Sequence, residues 1–306
     1  MMSRFDRLPP IDSSFLYAES ATAHMHVGSL SLFENVDLGE LALRSHVENR
    51  LHLVPRYRQK IAWVPGNQGR PVWVDDQDFD IRNHVLFTEL TPKSTERDLL
   101  RLAARLLSRP LDRSRPLWEL WHVQLGGGRC AILMKTHHCL VDGISTVDIG
   151  TALLDFGPES PLMEVPEWVP EPPPSRTELL RDAISERAAQ PGEMMRSIRS
   201  ASLEPRALLA KGKELARGLY SFSRAGLDLA PTTSFTRAIG AHRRFDVVRA
   251  DLGRIKSVRA RLGCTVNDVL MAVVAGGVRR LLLSRQEPVD GLVLKTMVPV
   301  NFRSES

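Results

Sequence analysis

The chain predicts an α/β protein of the α+β kind, and three local patterns carry that expectation. Residues 26–33 alternate, with Leu30 and Leu32 on one face and Ser29 and Ser31 on the other, the period of a strand. Residues 94–108 set Leu99, Leu102, Ala103 and Leu106 along one stripe and stop before Pro110, as a helix does. Residues 117–125 alternate again, and Gly126-Gly127-Gly128-Arg129 leads directly into the apolar run 130–136, which reads as a hairpin with a buried second strand.

The other elements follow in order. Residues 41–54 have helical spacing through Leu43, Val47 and Leu51. A first domain is expected over 1–156. Residues 157–242 form a connector: 157–175 are crowded with prolines and extended, while 176–229 are helical in pattern and expected to break at Pro191-Gly192 and Pro205. The third region, 243–306, should hold a strand near 245–248 and a helix bearing Leu252, Ile255, Val258 and Leu262, ended by Gly263. A second helix over 266–284 and a strand over 292–300 complete it. So few elements rarely fold alone, so this region is expected to lean on the first domain.

Composition narrows the function classes. A 306-residue chain with 43% hydrophobic content can bury a sizeable core. Its net charge of +5 and pI near 9.4 suit an anionic lipid surface or a phosphate-bearing ligand. Arginines are scattered and no basic stripe is interleaved with aromatics, so nucleic acid is not expected as a partner. The three cysteines, Cys130, Cys139 and Cys264, suit a reducing cytoplasm. The N-terminus lacks an apolar signal region, and the run 269–278 is too short to span a bilayer, so any membrane contact is expected to be peripheral. Arg196, Arg199, Arg206, Lys211, Lys213 and Arg217 make the connector basic and amphipathic. That fits a membrane or lipid-droplet contact, or a packed linker helix with a solvated basic face, the latter favoured by its lack of Trp.

The chemistry-bearing stretch is Thr136-His137-His138-Cys139-Leu140-Val141-Asp142-Gly143. It leaves a core strand and precedes Ser145-Thr146-Val147-Asp148, which has capping-box spacing for a helix. A metal could recruit both histidines and Asp142, but adjacent residues on an extended chain point in opposite directions, and no further ligand spacing is present. Two possibilities stay open from the residues alone. The histidines are ordinary strand-end residues with Asp142 and Gly143 as turn formers, or His138 is a general base, Asp142 fixes the loop and Gly143 keeps the backbone clear for substrate.

The H-H-x-x-x-D-G pattern of His137, His138, Asp142 and Gly143 resembles the signature of the CoA-dependent acyltransferase superfamily. Further stretches are similar to its bacterial wax ester synthase/diacylglycerol acyltransferase branch. They are Asp12-Ser13-Ser14-Phe15-Leu16-Tyr17-Ala18-Glu19, His24-Met25-His26-Val27-Gly28, Arg115-Pro116-Leu117-Trp118-Glu119, Thr265-Val266-Asn267-Asp268 and Val298-Pro299-Val300-Asn301. At 234–240, by contrast, the chain lacks the asparagine of the branch's Pro-Leu-Asn-like element.

The resemblance implies a chloramphenicol-acetyltransferase-like two-domain fold, with acyltransferase domains at 1–156 and 243–306. Members continue beyond the Val-Pro-Val element, so the second domain is expected to be incomplete, and self-association or a separate C-terminal half is expected. It further implies acyl transfer from long-chain acyl-CoA to diacylglycerol or a long-chain alcohol. His138 is the base, and Asn267 and Asp268 are expected at the substrate cleft. No cofactor is expected, acyl-CoA being a co-substrate, and the location is cytoplasmic, peripheral at the inner membrane face or lipid droplets. The alternative is a non-catalytic lipid-binding relative. Cys139 is a rival nucleophile without an assigned base. Trp118 is expected in the core, Arg115 beside an acid, and His24 and His26 in structural roles or toward the substrate channel.

Overall fold

The structure, a computed structural model, describes residues 5–34, 39–140, 164–201 and 231–296, with 189–201 as backbone alone. It divides into two units: Met1–Ser200 with Gly240–Phe245, and Ala201–Ile239 with Asp246–Ser306.

The first unit is built on a four-stranded sheet in the order β1–β6–β5–β4, comprising β1 (His26–Glu34), β4 (Val85–Glu89), β5 (Trp118–Gly126) and β6 (Arg129–His137). The expected hairpin is present: β5 and β6 pair antiparallel, with Trp118 opposite Thr136. Its turn needs glycine, because Gly126, Gly127 and Gly128 all have φ between 63° and 78°. Strand β1 lies antiparallel to β6 on the outer side, placing His26 opposite His137, and β4 runs parallel to β5.

Side-chain alternation sends Ala131, Leu133, Lys135 and His137 toward one face of the sheet. Helix α3 (Glu96–Leu107) covers that face, burying Leu99, Leu102, Ala103 and Leu106 against Val123, Ala131 and Leu133. Its start is fixed by the reciprocal capping box of Thr95 and Asp98. The other face carries Trp118, Leu120 and Ile132 into a core with Leu16 of α1 (Pro10–Ala18), Leu43 and Val47 of α2 (Glu40–Glu48), and Tyr57. A small hairpin of β2 (Gln59–Ala62) and β3 (Val72–Asp75) adjoins it. Trp118 is a core residue, as expected. It is 1% exposed, its ring stacks on His84, and its indole N–H donates to the Tyr57 carbonyl at 2.8 Å. Trp118→Phe should therefore cost about 1–2 kcal/mol through the orphaned carbonyl and lost volume. An unchanged urea midpoint would show that the indole adds nothing net.

Three local expectations need correction. The helix expected over 41–54 ends at Glu48 and is followed by a separate 3-10 turn, Leu51–Leu53; Pro55 keeps the residue before it out of the α conformation. Helix α4 (Arg176–Ala201) runs through Pro191-Gly192 without a break. A proline removes one amide from the ladder, and the hydrogen bonds on either side carry the helix past it. The start of α4 is packed: Leu179 joins Val72 and Val74, while Asp182 and Glu186 hold Arg7 at 2.5 and 2.7 Å. No strand forms over 245–248, nor over 292–296, the described part of 292–300. Apolar β-branched residues become a strand only when a neighbour completes the ladder.

The second unit contains α5 (Leu252–Leu262) and α6 (Val266–Ser284) as expected, separated by Gly263 in the left-handed conformation. The 233–236 turn is tied to the end of α6 by the Ser234 amide, which donates to Glu287 at 2.8 Å, and by Arg285, which bonds the Ser234 hydroxyl. Among the described residues, no helix is long and apolar enough to cross a membrane.

Candidate active site

His137 is the last residue of β6, and His138 opens the 3-10 turn His138–Leu140. Their rings have different surroundings. His138 is half-buried and stacks on Phe15 of α1, with ring centroids 4.5 Å apart and planes 16° from parallel. Its amide donates to the Met25 carbonyl at 2.8 Å. His137 is 1% exposed, and its Nε2 faces the Glu19 carboxylate at 3.7 Å. Its Nδ1 accepts the Cys139 amide at 3.1 Å. A neutral ring that accepts at Nδ1 carries its proton on Nε2, the nitrogen aimed at Glu19. Burial holds the His137 imidazole down to about 4, although the Glu19 charge pulls the other way. His137 is thus a neutral brace of the turn.

Glu19 is the hub of this region. Its Oε2 accepts from Nε and Nη2 of Arg113 at 2.9 and 2.6 Å, and its Oε1 accepts the Met25 amide at 3.1 Å. Burial alone would raise this carboxyl, but the bonds from Arg113 and Met25 bring it below its ordinary value.

The end of α3 carries a second basic cluster. His24 donates from Nε2 to the Ser108 carbonyl at 3.2 Å, His26 to Leu107 at 2.9 Å, and Lys135 from Nζ to Leu106 at 3.3 Å. Three successive carbonyls at a helix C-terminus thereby meet basic side chains, where the helix dipole favours them. His24 and His26 each commit one ring nitrogen to these carbonyls. Burial, followed by the nearby Lys135 charge, holds the His26 ring down to about 4.

The remaining candidates separate clearly. Cys139 is buried and burial pushes its thiol up; its amide, and not its sulfur, contacts His137, so it is not an activated nucleophile. Among the described residues, no group of three or more His, Cys, Asp or Glu could hold a metal. Arg115 pairs with Asp112 at 3.5 Å on the surface. Asp142 and Gly143 lie outside the described residues, as does the expected capping box at 145–148. Asn267 and Asp268 belong to the second unit, in the exposed first turn of α6. There Asp268 makes a capping box, accepting the Thr265 amide at 2.8 Å while its own amide donates to the Thr265 hydroxyl at 3.1 Å. Phe15 and Glu19 stood in the sequence only as part of the N-terminal resemblance, and Arg113 drew no attention.

A family model described as the wax ester synthase/diacylglycerol acyltransferase catalytic domain matches residues 8–270. The chain belongs to this family. Among the most similar wax ester synthase/diacylglycerol acyltransferase relatives, tgs3 of Mycobacterium tuberculosis, a probable diacylglycerol O-acyltransferase, is 36% identical over 262 residues. That alignment covers 84% of this chain and 97% of the relative. The probable diacylglycerol O-acyltransferase tgs2 of the same organism is 36% identical over 310 residues, covering 98% of this chain and 65% of the relative. The solved wax ester synthase/diacylglycerol acyltransferase of Marinobacter aquaeolei aligns at a TM-score of 0.60 and 27% identity, across 92% of this chain and 62% of that one. The α+β acyltransferase fold expected from the sequence is therefore present. The chain spans nearly all of tgs3 and about two thirds of the other two.

Proposed function

We propose that the chain transfers a long-chain acyl group from acyl-CoA to diacylglycerol, giving triacylglycerol, and that it also accepts long-chain alcohols to give wax esters. One observation carries the assignment of His138 as general base. Its ring is clamped by Phe15 and only half-buried, and among the described residues no side chain takes up its nitrogens, whereas His137 is sealed in the core.

A neutral hydroxyl attacks a thioester poorly because its proton is held too tightly. His138 accepts that proton as the acceptor oxygen bonds to the acyl carbon; the carbon–sulfur bond then breaks and the proton passes to the CoA sulfur. Holding the two substrates in line supplies much of the acceleration, and no acyl-enzyme or cofactor is needed. Asp142 and Gly143 of the family motif are assigned to the same reaction, and Asn267 and Asp268 to substrate binding. The lipid acceptor is drawn from a membrane or droplet surface by peripheral contact on the cytoplasmic side.

The test supplies purified protein with radiolabelled palmitoyl-CoA and either diacylglycerol or hexadecanol, with and without the C-terminal third of a longer relative. Labelled triacylglycerol or wax ester is the expected product. Lipid binding without transfer under every condition would point instead to a non-catalytic relative.

A further inference from the structure

Two direct contacts and the turn that follows hold His138, and each leads back to Glu19, through its carboxylate, its backbone amide or its Arg113 partner. The first is the Met25 carbonyl, which accepts the His138 amide; the Met25 amide, at the other end of the same residue, donates to Glu19 Oε1 at 3.1 Å. The second is the turn itself. Cys139, the residue after His138, donates its amide to His137 Nδ1, and the opposite nitrogen of that ring faces Glu19 Oε2 at 3.7 Å. The third is Phe15, stacked on the His138 ring from α1. Glu19 caps the C-terminus of α1, its amide donating to the Phe15 carbonyl at 3.1 Å. Arg113 fastens the same helix end, because its Nη2 donates both to the Leu16 carbonyl at 2.9 Å and to Glu19 Oε2 at 2.6 Å.

We infer that Glu19, gripped by Arg113, is the positioning residue for the His138 base, fixing its ring and backbone from three sides without touching substrate. The inference rests on His138 acting as the base. Glu19 is suited to the task by geometry and by charge. Its side chain is 9% exposed and its two oxygens are divided between the strand entry and the Arg113–His137 side. A neutral side chain of the same size could still accept the Met25 amide through one oxygen. It could not hold the guanidinium and face the His137 Nε2–H with the other. The ring would then lose the fixed turn on one side and the fixed helix end on the other. Small displacements of a base are costly, since catalysis depends on reacting atoms held in line.

The test uses the full chain with Glu19→Gln and with Arg113→Lys, which keeps the positive charge while losing the two-nitrogen grip and so guards against a variant that fails to fold. Turnover and KM for palmitoyl-CoA are measured at a temperature where circular dichroism shows each variant folded. The ring nitrogens of His137 and His138 are followed by nitrogen-15 NMR across pH. Glu19→Gln is expected to lower kcat by about 10- to 100-fold with KM changed less than about twofold, and Arg113→Lys less so. The His138 ring signals should shift in both, and acid should protonate His137 at a different pH in Glu19→Gln. Folded variants with wild-type turnover and unmoved His138 signals would overturn the proposal, as would lost turnover with unmoved signals. If the signals move while His138→Ala itself retains full activity, positioning stands and the base assignment falls.

Discussion

His138→Ala is expected to lower turnover by about 100- to 10,000-fold, the usual worth of a positioned general base. The protein should remain folded, because the side chain is half-buried and its principal described contact is the face of Phe15. His137→Ala should behave in the opposite way. Its ring is sealed in the core and accepts the Cys139 amide, so removal leaves a cavity and an orphaned donor, costing about 1–3 kcal/mol of stability. Activity should fall less than for His138→Ala so long as the protein stays folded. Turnover measured beside urea unfolding separates the two roles. Equal, small losses of turnover at both positions in folded protein would remove His138 from the chemistry.

Acidification is expected to weaken the fold between about pH 6.5 and 4, a loss that begins above the range in which ordinary carboxylates are protonated. His26 and His137 are both held down to about 4 from an ordinary value of 6.5, in each case first by burial. The unfolded chain therefore binds protons near pH 6.5, while the folded protein resists them until about pH 4. Stability rises with pH wherever the unfolded state binds more protons, so this contribution is complete above 6.5 and lost as pH falls through the window. For His137 it amounts to at most about 3 kcal/mol, with less from the more accessible His26. Glu19 adds loss in the same direction at the acid end, because its folded value lies below its ordinary one. Urea unfolding at pH 7.0, 5.5 and 4.5 gives the check; a flat free energy across that range would mean that neither ring is held neutral by the fold.

The central hairpin was legible because two independent signals coincide there: alternation in both strands and a glycine turn that only positive φ explains. Helix α3 was legible for a similar reason, its apolar stripe and the proline beyond its end agreeing, whereas its capping box emerged only from the structure. The histidine pair declared itself through its motif and its place at a strand end. The partners of that pair did not. Glu19 and Arg113 lie 94 positions apart and meet only in the folded chain, with no periodicity to announce them. The strand expected at 245–248, and the described part of the one expected at 292–300, show the converse limit, since their apolar residues fit a sheet whose neighbours a local pattern cannot supply. Helix α4 passes Pro191 for a related reason, a backbone penalty at one residue being outweighed by the turns around it.

The carbonyls at the end of α3 also decide how β1 joins the sheet. Strand β1 reaches β6 across about a hundred intervening residues, so its entry is a late and entropically expensive step compared with closure of the local hairpin. A slip of one residue would turn His26 to the opposite face and bring Val27 to the end of α3 in its place. Valine cannot bond a carbonyl, so the Leu107 oxygen would be left bare, and Gly28 would no longer lie where Leu107 packs closely against the strand. A misaligned β1 is thus penalised in hydrogen bonding and in packing together. The polar residues that look misplaced on this sheet edge act as an alignment key, admitting the strand in the one frame that also brings the Met25 carbonyl to His138.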